Sequence, residues 1–351
     1  MSLAQLQIEG VRNLAPVEVQ PGPGLNWFQG DNGAGKTSVL EAVFLLARGR
    51  SFRSQRISSV IQHGRSSLRV VARRSEDGRM LGMERSAEAW RGRIGGKDCL
   101  RLSEFAAALP LVLMQPDSHR LIDGGPEYRR QYLDWQLFHV EPSYLGVWQR
   151  YARYLRQRNA ALKARAGNDV LRALEQPMAA AGERVAAFRS GLVAAIGAAL
   201  VGLAEAVGIV LPGPVDLRHR PGYEIDEGLA DALSGARERD RELGFTRQGP
   251  HRAELVIQCG GRSAAQELSR GQQKLLALLL LLAQLLGLRG GEVVPILLLD
   301  DPVSELDENH FSRLLAWVEG QPVQTWVTAT REGPPSARVF HVEQGKITPV
   351  V

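Results

Sequence analysis

The stretch Gly30-Asp31-Asn32-Gly33-Ala34-Gly35-Lys36-Thr37 constrains this chain more than any other, because of what flanks it. A short apolar run, Leu25 to Phe28, leads into it. From Ser38 to Arg48 apolar residues then fall at Val39, Leu40, Val43, Phe44, Leu46 and Ala47, a helical spacing. Strand, glycine loop and helix in that order fit GxxxxGK[ST], in which glycines let backbone N–H groups wrap phosphates and the helix N-terminus adds partial positive charge. The loop from Gly30 to Gly35 is therefore expected to cradle a nucleotide, with Lys36 reaching its β- and γ-phosphates and Thr37 ligating Mg2+. Without such flanks the same residues would read as a Gly-rich turn.

A matching second half lies far downstream. Val293 to Leu299 is a continuous apolar run, predicted as a strand buried on both faces, and it ends in Asp300-Asp301. In open α/β sheets ligands bind at the carboxyl ends of strands. Asp300 is expected to hold Mg2+ through water, and Asp301 to act as the general base that orients or deprotonates an attacking water. The plainer alternative is an acidic helix cap after a core strand. Leu268-Ser269-Arg270-Gly271-Gln272-Gln273 opens a Leu-rich helix that Ser269 can cap, and Ser304-Glu305-Leu306-Asp307 follows the acidic strand. Each is weak alone; their order is specific.

The remaining chain reads as α/β. Strands are expected around Leu6 and Ile8 and at Val17 and Val19, before a Pro21-Gly22-Pro23-Gly24 turn. Residues 48–101 carry 14 basic residues against 5 acidic ones in a chain of net charge +5, so the remainder is net negative. Runs such as Leu68 to Ala72, with turns at Asp77-Gly78 and Gly95-Gly96, predict an Arg-rich β lobe. From Glu127 to about Val207 the pattern is helical: Val185, Phe188, Leu192, Ile196, Leu200, Leu203 and Val207 recur at three- and four-residue steps. Leu211-Pro212-Gly213-Pro214 ends it, one amphipathic helix is expected over Asp226 to Leu243, and strands over Ala253 to Gln258, Val323 to Thr328 and Ala337 to Val342. The expected domains are the first part of a nucleotide-binding domain at 1–120, a helical arm at 121–245 and the rest of the first domain at 246–351.

Two distant cysteines, Cys99 and Cys259, suggest neither a disulfide framework nor a cysteine zinc site and suit a reducing cytoplasm. MSLAQLQIEGVRNL lacks a basic leader followed by an apolar stretch, so no signal peptide is expected. Leu192 to Ala204 and Leu275 to Leu288 are shorter than the roughly 18 residues of a membrane span and are flanked or interrupted by Arg189, Glu205, Lys274 and Gln284; they are expected as buried helices.

Phosphate loop, LSRGQ segment and acidic strand together resemble the ATP-binding-cassette class. More than two hundred residues separate Thr37 from Leu268, as in its SMC-like heads and unlike transporter ATPases. Gly124-Gly125-Pro126-Glu127-Tyr128-Arg129-Arg130, Leu133-Asp134-Trp135, the Gln157 to Leu162 run and Gly249-Pro250-His251-Arg252 resemble the RecF family of recombination and repair proteins. The resemblance runs from Gln7 to about Thr330. It implies an ABC-type P-loop ATPase head with a mostly helical second subdomain, in a cytoplasmic protein that dimerises on ATP. It further implies binding to double-stranded DNA near gaps or junctions, and work with RecR, RecO and RecA in repair and replication restart. By position, Arg12 and Asn13 lie on the nucleotide side of the first strand and Gln115 fits the Q-loop beside Mg2+. Ser269, Arg270, Gly271 and Gln272 fit the signature that faces the γ-phosphate held by a second copy, and Ser304 and Asp307 fit the D-loop. One phosphate loop and one signature per chain then imply a symmetric dimer with two composite sites.

This chain departs from the general cassette pattern. Arg270 replaces the first Gly of LSGGQ, Asp301 stands where a catalytic Glu is usual, and Thr328-Ala329-Thr330 occupies the place of the switch His. The shorter carboxylate predicts slow hydrolysis suited to a switch. For DNA phosphates the candidates are Arg48, Arg50, Arg53, Arg56, Arg65, Arg69, Arg73 and Arg74, with Arg150, Arg153, Arg156 and Arg158 interleaved with Tyr151 and Tyr154 on a predicted helix. The bland reading of both sets is a solvated basic surface. A transporter ATPase docked on a membrane partner is the alternative function, against which the long insert weighs. A small-molecule kinase would leave LSRGQ and SELD unexplained.

Overall fold

The computed structural model describes residues 2–289 and 294–350. The chain begins β1 (Leu3–Glu9), β2 (Val17–Val19), β3 (Leu25–Gln29), α1 (Lys36–Arg48), β4 (Ser67–Arg74), β5 (Met80–Ser86), β6 (Trp90–Ile94), β7 (Lys97–Asp98), α2 (Leu102–Ala108) and β8 (Leu111–Met114). It continues α3 (Arg120–Asp123), α4 (Pro126–Val140), α5 (Tyr144–Lys163), α6 (Asn168–Val207), β9 (Val215–Arg220), α7 (Gly228–Gly235), α8 (Arg237–Leu243), β10 (Glu254–Cys259), β11 (Arg262–Ser263), α9 (Ala264–Glu267) and α10 (Arg270–Leu288). It closes with β12 (Ile296–Asp300), α11 (Pro302–Glu305), α12 (Glu308–Glu319), β13 (Thr325–Ala329), β14 (Arg338–Glu343) and β15 (Lys346–Pro349). Two compact units result: Met1–Ser118 with Ala204–Ile209 and Leu281–Val351, and His119–Leu203 with Val210–Leu280.

The first unit holds two six-stranded sheets. One, in the order β2-β1-β4-β5-β6-β7, is antiparallel, and the other runs β15-β14-β3-β13-β12-β8, parallel except for β15. The sequence explains the difference. β12 and β13 are buried at every position, as strands covered on both faces must be. β4 instead alternates, with Leu68, Val70 and Ala72 inward and Arg69 and Arg73 outward. Between the sheets lies α1, which touches β12 and β13 on one side and β4 and β5 on the other. Ten consecutive residues of it, Ser38 to Ala47, are buried, so its apolar surface extends all round. Phe28 stacks on Trp326 and Phe340, with centroids 5.3 and 4.9 Å away, tying β3 to β13 and β14. The expected Gly95-Gly96 turn joins β6 to β7, with φ of 57° and 80°, the left-handed pair a two-residue hairpin requires.

One charge is sealed into this core. Glu41 of α1 is fully buried and accepts two hydrogen bonds from the Arg12 guanidinium, both 2.8 Å, and another from Ser51 Oγ. The Arg12 Nη1 donates to Ser59 O at 2.7 Å, so α1 is stapled to the segment after β1 and to the turn before β4.

The second unit packs α3–α5, most of α6 and α7–α9 with a three-stranded sheet, β11-β10-β9. Several expectations are corrected here. β9 lies in a segment for which no element was expected, and the single helix over Asp226 to Leu243 is two, α7 and α8, parted at Ala236. Segment 246–280 groups with the helical unit, because β10 pairs with β9 along its whole length. The predicted start of the acidic strand at Val293 lies outside the described residues; β12 begins at Ile296. The helices around the two apolar stretches are longer than those stretches, 40 and 19 residues, so by length and composition both could cross a membrane. In this fold they are built into the protein: α6 carries Arg189 at 2% exposure, and Leu276–Leu280 of α10 are buried.

The motifs that carried the family resemblance turn out to be buried clamps of this unit. Arg129 grips Glu254 through two hydrogen bonds of 2.7 and 2.9 Å and donates to the carbonyls of Leu121, Ile122 and Gly124, which end α3. Asp134 binds Arg189 through both oxygens at 2.8 and 2.9 Å, and Arg189 donates to Pro250 O at 2.7 Å. Arg158 is fully buried and reaches Glu175, Asp240 and Thr246. Tyr151, also buried, meets Nδ1 of His251 at 2.6 Å while Nε2 of that ring donates to Thr246 O at 3.0 Å, so the tyrosine hydroxyl donates. Arg158 and Tyr151 therefore do not face DNA; burial without partners would cost far more than their interior bonds do.

Candidate nucleotide-binding site

β3, β12 and β13 are parallel neighbours, so their carboxyl ends open on one edge of the sheet. The glycine loop leaves β3 there. Gly30 takes φ 153°, and a Cβ on it would lie 2.1 Å from Val342 O, which excludes any side chain. Gly35, at φ 117°, precedes α1 with no side chain capping the helix, leaving amide donors open to an anion. The Lys36 ammonium folds back onto the loop, donating to Gly30 O at 2.7 Å and Asp31 O at 2.8 Å. Burial pushes its pKa down, against the pull of Asp301, Asp31 and Asp300.

The acidic strand end meets this loop as expected. Thr37 Oγ1 donates to Asp300 Oδ1 at 2.8 Å, and Thr328 Oγ1 donates to the same oxygen at 2.8 Å. Burial raises the Asp300 pKa above the usual carboxylate range, and the two hydroxyl bonds oppose it. Thr328 Oγ1 also accepts from the Asp301 amide at 2.9 Å. Thr328, at the place of the missing switch His, thus fixes the Asp300 carboxylate and the Asp301 backbone. Asp301 itself takes φ 48°, and its Oδ2 accepts from Ser304 Oγ at 2.6 Å. Its Oδ1 is buried with no hydrogen-bond partner.

These groups border a groove of about 620 Å³, within the usual size of a small-molecule site. Arg12, Asn13, Asn32, Gly33, Gly35, Lys36, Thr37, Asp301 and Thr328 line it. So do Ser59, Ile61, His63 and Arg53, which the sequence did not assign to it. Arg53, a DNA candidate, is exposed and also lies 3.7 Å from buried Glu41. A hydroxyl and a carboxylate 2.8 Å apart, with an unsatisfied carboxylate oxygen alongside, are the oxygen donors Mg2+ takes when substrate phosphates complete its shell. Among the described residues no cluster of three His, Cys, Asp or Glu could hold a metal unaided. The residues fit ATP with Mg2+.

Other candidates fall as follows. Asn13 Nδ2 donates to Gly33 O at 3.1 Å, bracing the loop. Gln115 follows Met114, which pairs with Leu299, and so sits level with Asp300 on the neighbouring strand; it is not in the groove lining. Asp307 caps α12, accepting from the His310 amide at 2.9 Å. In the second unit Ser269 and Gln272 cap α10 reciprocally: the Ser269 amide donates to Gln272 Oε1 at 2.9 Å, and Ser269 Oγ accepts from the Gln272 amide at 3.4 Å. Gly271 lies in that first turn, and Arg270 is held by Asp123 at 2.5 Å. Of the DNA candidates, Arg65 pairs with Glu9 at 2.8 Å, and Arg74, 13% exposed, faces Asp77 at 3.4 Å. Arg50, Arg56, Arg73, Arg153 and Arg156 are exposed, and Arg48 lies over the Phe44 ring.

A phosphate loop between β3 and α1, with an acidic strand end beside it on a parallel sheet, defines a P-loop ATPase, and the LSRGQ segment that caps α10 marks the ABC type. The family model described as RecF/RecN/SMC N terminal domain matches residues 2–341. Among curated relatives, the DNA replication and repair protein RecF of Xanthomonas axonopodis pv. citri (strain 306) is 43% identical over 363 residues, covering 99% of this chain and 98% of that protein. That of Stenotrophomonas maltophilia (strain R551-3) is 40% identical over 366 residues and the whole of both. A solved structure of the recombination mediator protein RecF-ATP in the RecFOR pathway superposes with a TM-score of 0.88 at 24% identity, covering 99% of this chain and 97% of that one. The Smc head domain of Pyrococcus furiosus, bound to the C-terminal domain of ScpA, gives 0.57 at 16%, over 99% and 95%. This chain belongs to the RecF family. Membership sets aside the transporter and kinase readings.

Proposed function

We propose that this chain binds ATP with Mg2+ in the groove beside Lys36, pairs with a second copy while the γ-phosphate persists, and uses the paired form to hold double-stranded DNA near gaps. The observation that carries the reading is the joint placement of Thr37, Asp300, Thr328 and Asp301 at the mouth of the phosphate loop. Lys36 would give up its two loop carbonyls for phosphate oxygens, and Thr37 and Asp300 would hold the metal. Mg2+, when bound, would supply neutralisation of phosphate charge. Asp301 orients and deprotonates water as general base, and Ser304 keeps it aimed. Ser269, Arg270, Gly271 and Gln272 of one copy close over the γ-phosphate of the other, giving two composite sites.

DNA is engaged through phosphates, in a salt-dependent mode without base reading. The exposed arginines Arg50, Arg56, Arg69, Arg73, Arg150, Arg153 and Arg156 are among the candidates that retain an outward position. The relatives' names, a DNA replication and repair protein and a recombination mediator of the RecFOR pathway, support a role in repair and replication with RecR and RecO as working partners; the same reading includes RecA and a cytoplasmic setting. Sedimentation velocity tests the switch: ATP with Mg2+ should shift the chain from monomer to dimer, ADP should not, and Lys36→Ala should stay monomeric throughout. A chain that remains monomeric in ATP contradicts it.

A further inference from the structure

We propose that the groove between α5 and α6 is a docking site for an acidic peptide segment of a partner protein. It has a volume of about 540 Å³ and lies wholly within the helical unit. Its floor is apolar and small, made by Val147, Pro177 and Ala181, while Arg150, Arg153 and Arg184 stand around it with Tyr154. No Asp or Glu lines it.

The three arginines differ from the buried and part-buried arginines of the same unit. Arg129, Arg158, Arg189 and Arg237 are each bound to a carboxylate at 3.1 Å or less. Arg150, Arg153 and Arg184 have no ion pair among the described residues. Arg153 lies over the Tyr154 ring at 5.2 Å and Arg184 over Phe188 at 6.0 Å, contacts that hold the side chains without neutralising them; the acidic group that Arg184 feels, Glu141, stands outside the groove lining. Like charges around one groove repel, and an anionic occupant relieves that repulsion.

The floor decides which anion. A DNA backbone offers phosphates and sugars and gains nothing from a trough of valine, proline and alanine. A peptide that places one aromatic or aliphatic side chain on the floor and flanking carboxylates on the guanidinium groups uses every surface the groove presents, and arginine–carboxylate pairs are the strong, directional kind. Arg153 is thereby assigned to this groove and not to DNA.

The test is panning of phage-displayed random dodecapeptides on the full chain, followed by anisotropy titration of the best peptide as a labelled synthetic. Selected sequences should be rich in Asp and Glu around an aromatic or leucine. Arg150→Glu with Arg184→Glu should weaken binding about tenfold or more. Exposed Arg172→Glu on α6, outside the groove, serves as control and should leave affinity unchanged, as should both variants for ATP turnover and circular dichroism. The proposal fails if no peptide is recovered, if acidic residues are not enriched, or if the double variant binds as tightly as the parent. It also fails if that variant loses duplex DNA affinity by the same factor, which would give the groove to nucleic acid.

Discussion

Asp301 occupies a backbone region that costs an ordinary side chain about 1–2 kcal/mol, and Asp and Asn are the residues that enter it most readily. Strain of this kind persists where the surroundings over-determine it, here through the Thr328 hydroxyl on its amide and the Ser304 hydroxyl on its carboxylate. Asp301→Asn keeps the conformation and removes the base. Nucleotide affinity and ATP-dependent pairing should survive while turnover falls roughly a hundredfold or more. Unchanged turnover in a coupled phosphate-release assay means the base is elsewhere. Asp300 carries a different cost. Its pKa is raised by burial, so the protonated form favours folding: that stability is full below the ordinary carboxylate range and is lost as pH rises through the raised value. Asp300→Asn should therefore melt higher than the parent at neutral pH without nucleotide, the gap closing in acid, and should lose Mg2+-dependent binding. A variant that melts lower at neutral pH contradicts this account of the site.

At the scale of elements, what was legible followed from local chemistry. The strand-loop-helix of β3 and α1 and the reciprocal cap of LSRGQ are decided within a few residues, and the structure bears out the first helix and the acidic strand closely. β9 was missed because Val215, Leu217 and His219 alternate only weakly and pair with β10 across a distant stretch of sequence. Arg158 was read as basic surface, although Tyr144, Tyr151 and Arg158 recur at seven-residue steps, the buried stripe of α5. That periodicity was the available signal. Its partners Glu175, Asp240 and Thr246 come from α6, α8 and the segment after it, which no local pattern joins. Arg158→Leu would leave buried Asp240 with only the longer contacts from Arg247, while Glu175 keeps Arg237, and should cost about 3 kcal/mol in urea unfolding. A loss well under 1 kcal/mol would show that the cluster does not hold the helices together.

For the whole molecule, the ATPase class was legible because its two diagnostic halves sit on strands of one parallel sheet. The division into units was not, since 246–280 joins the helical unit through pairing that sequence does not display. The shared site is the central claim, and it predicts complementation. Lys36→Ala lacks a working phosphate loop but keeps its signature; Ser269→Arg has the reverse defect. Each alone should be inactive. Mixed in equal amounts with ATP and Mg2+, they form some pairs in which one loop faces one intact signature, and turnover should reappear at up to about a quarter of the parent's. A mixture as inactive as either variant alone, or a Ser269→Arg protein that hydrolyses ATP normally by itself, would contradict a site built between two copies.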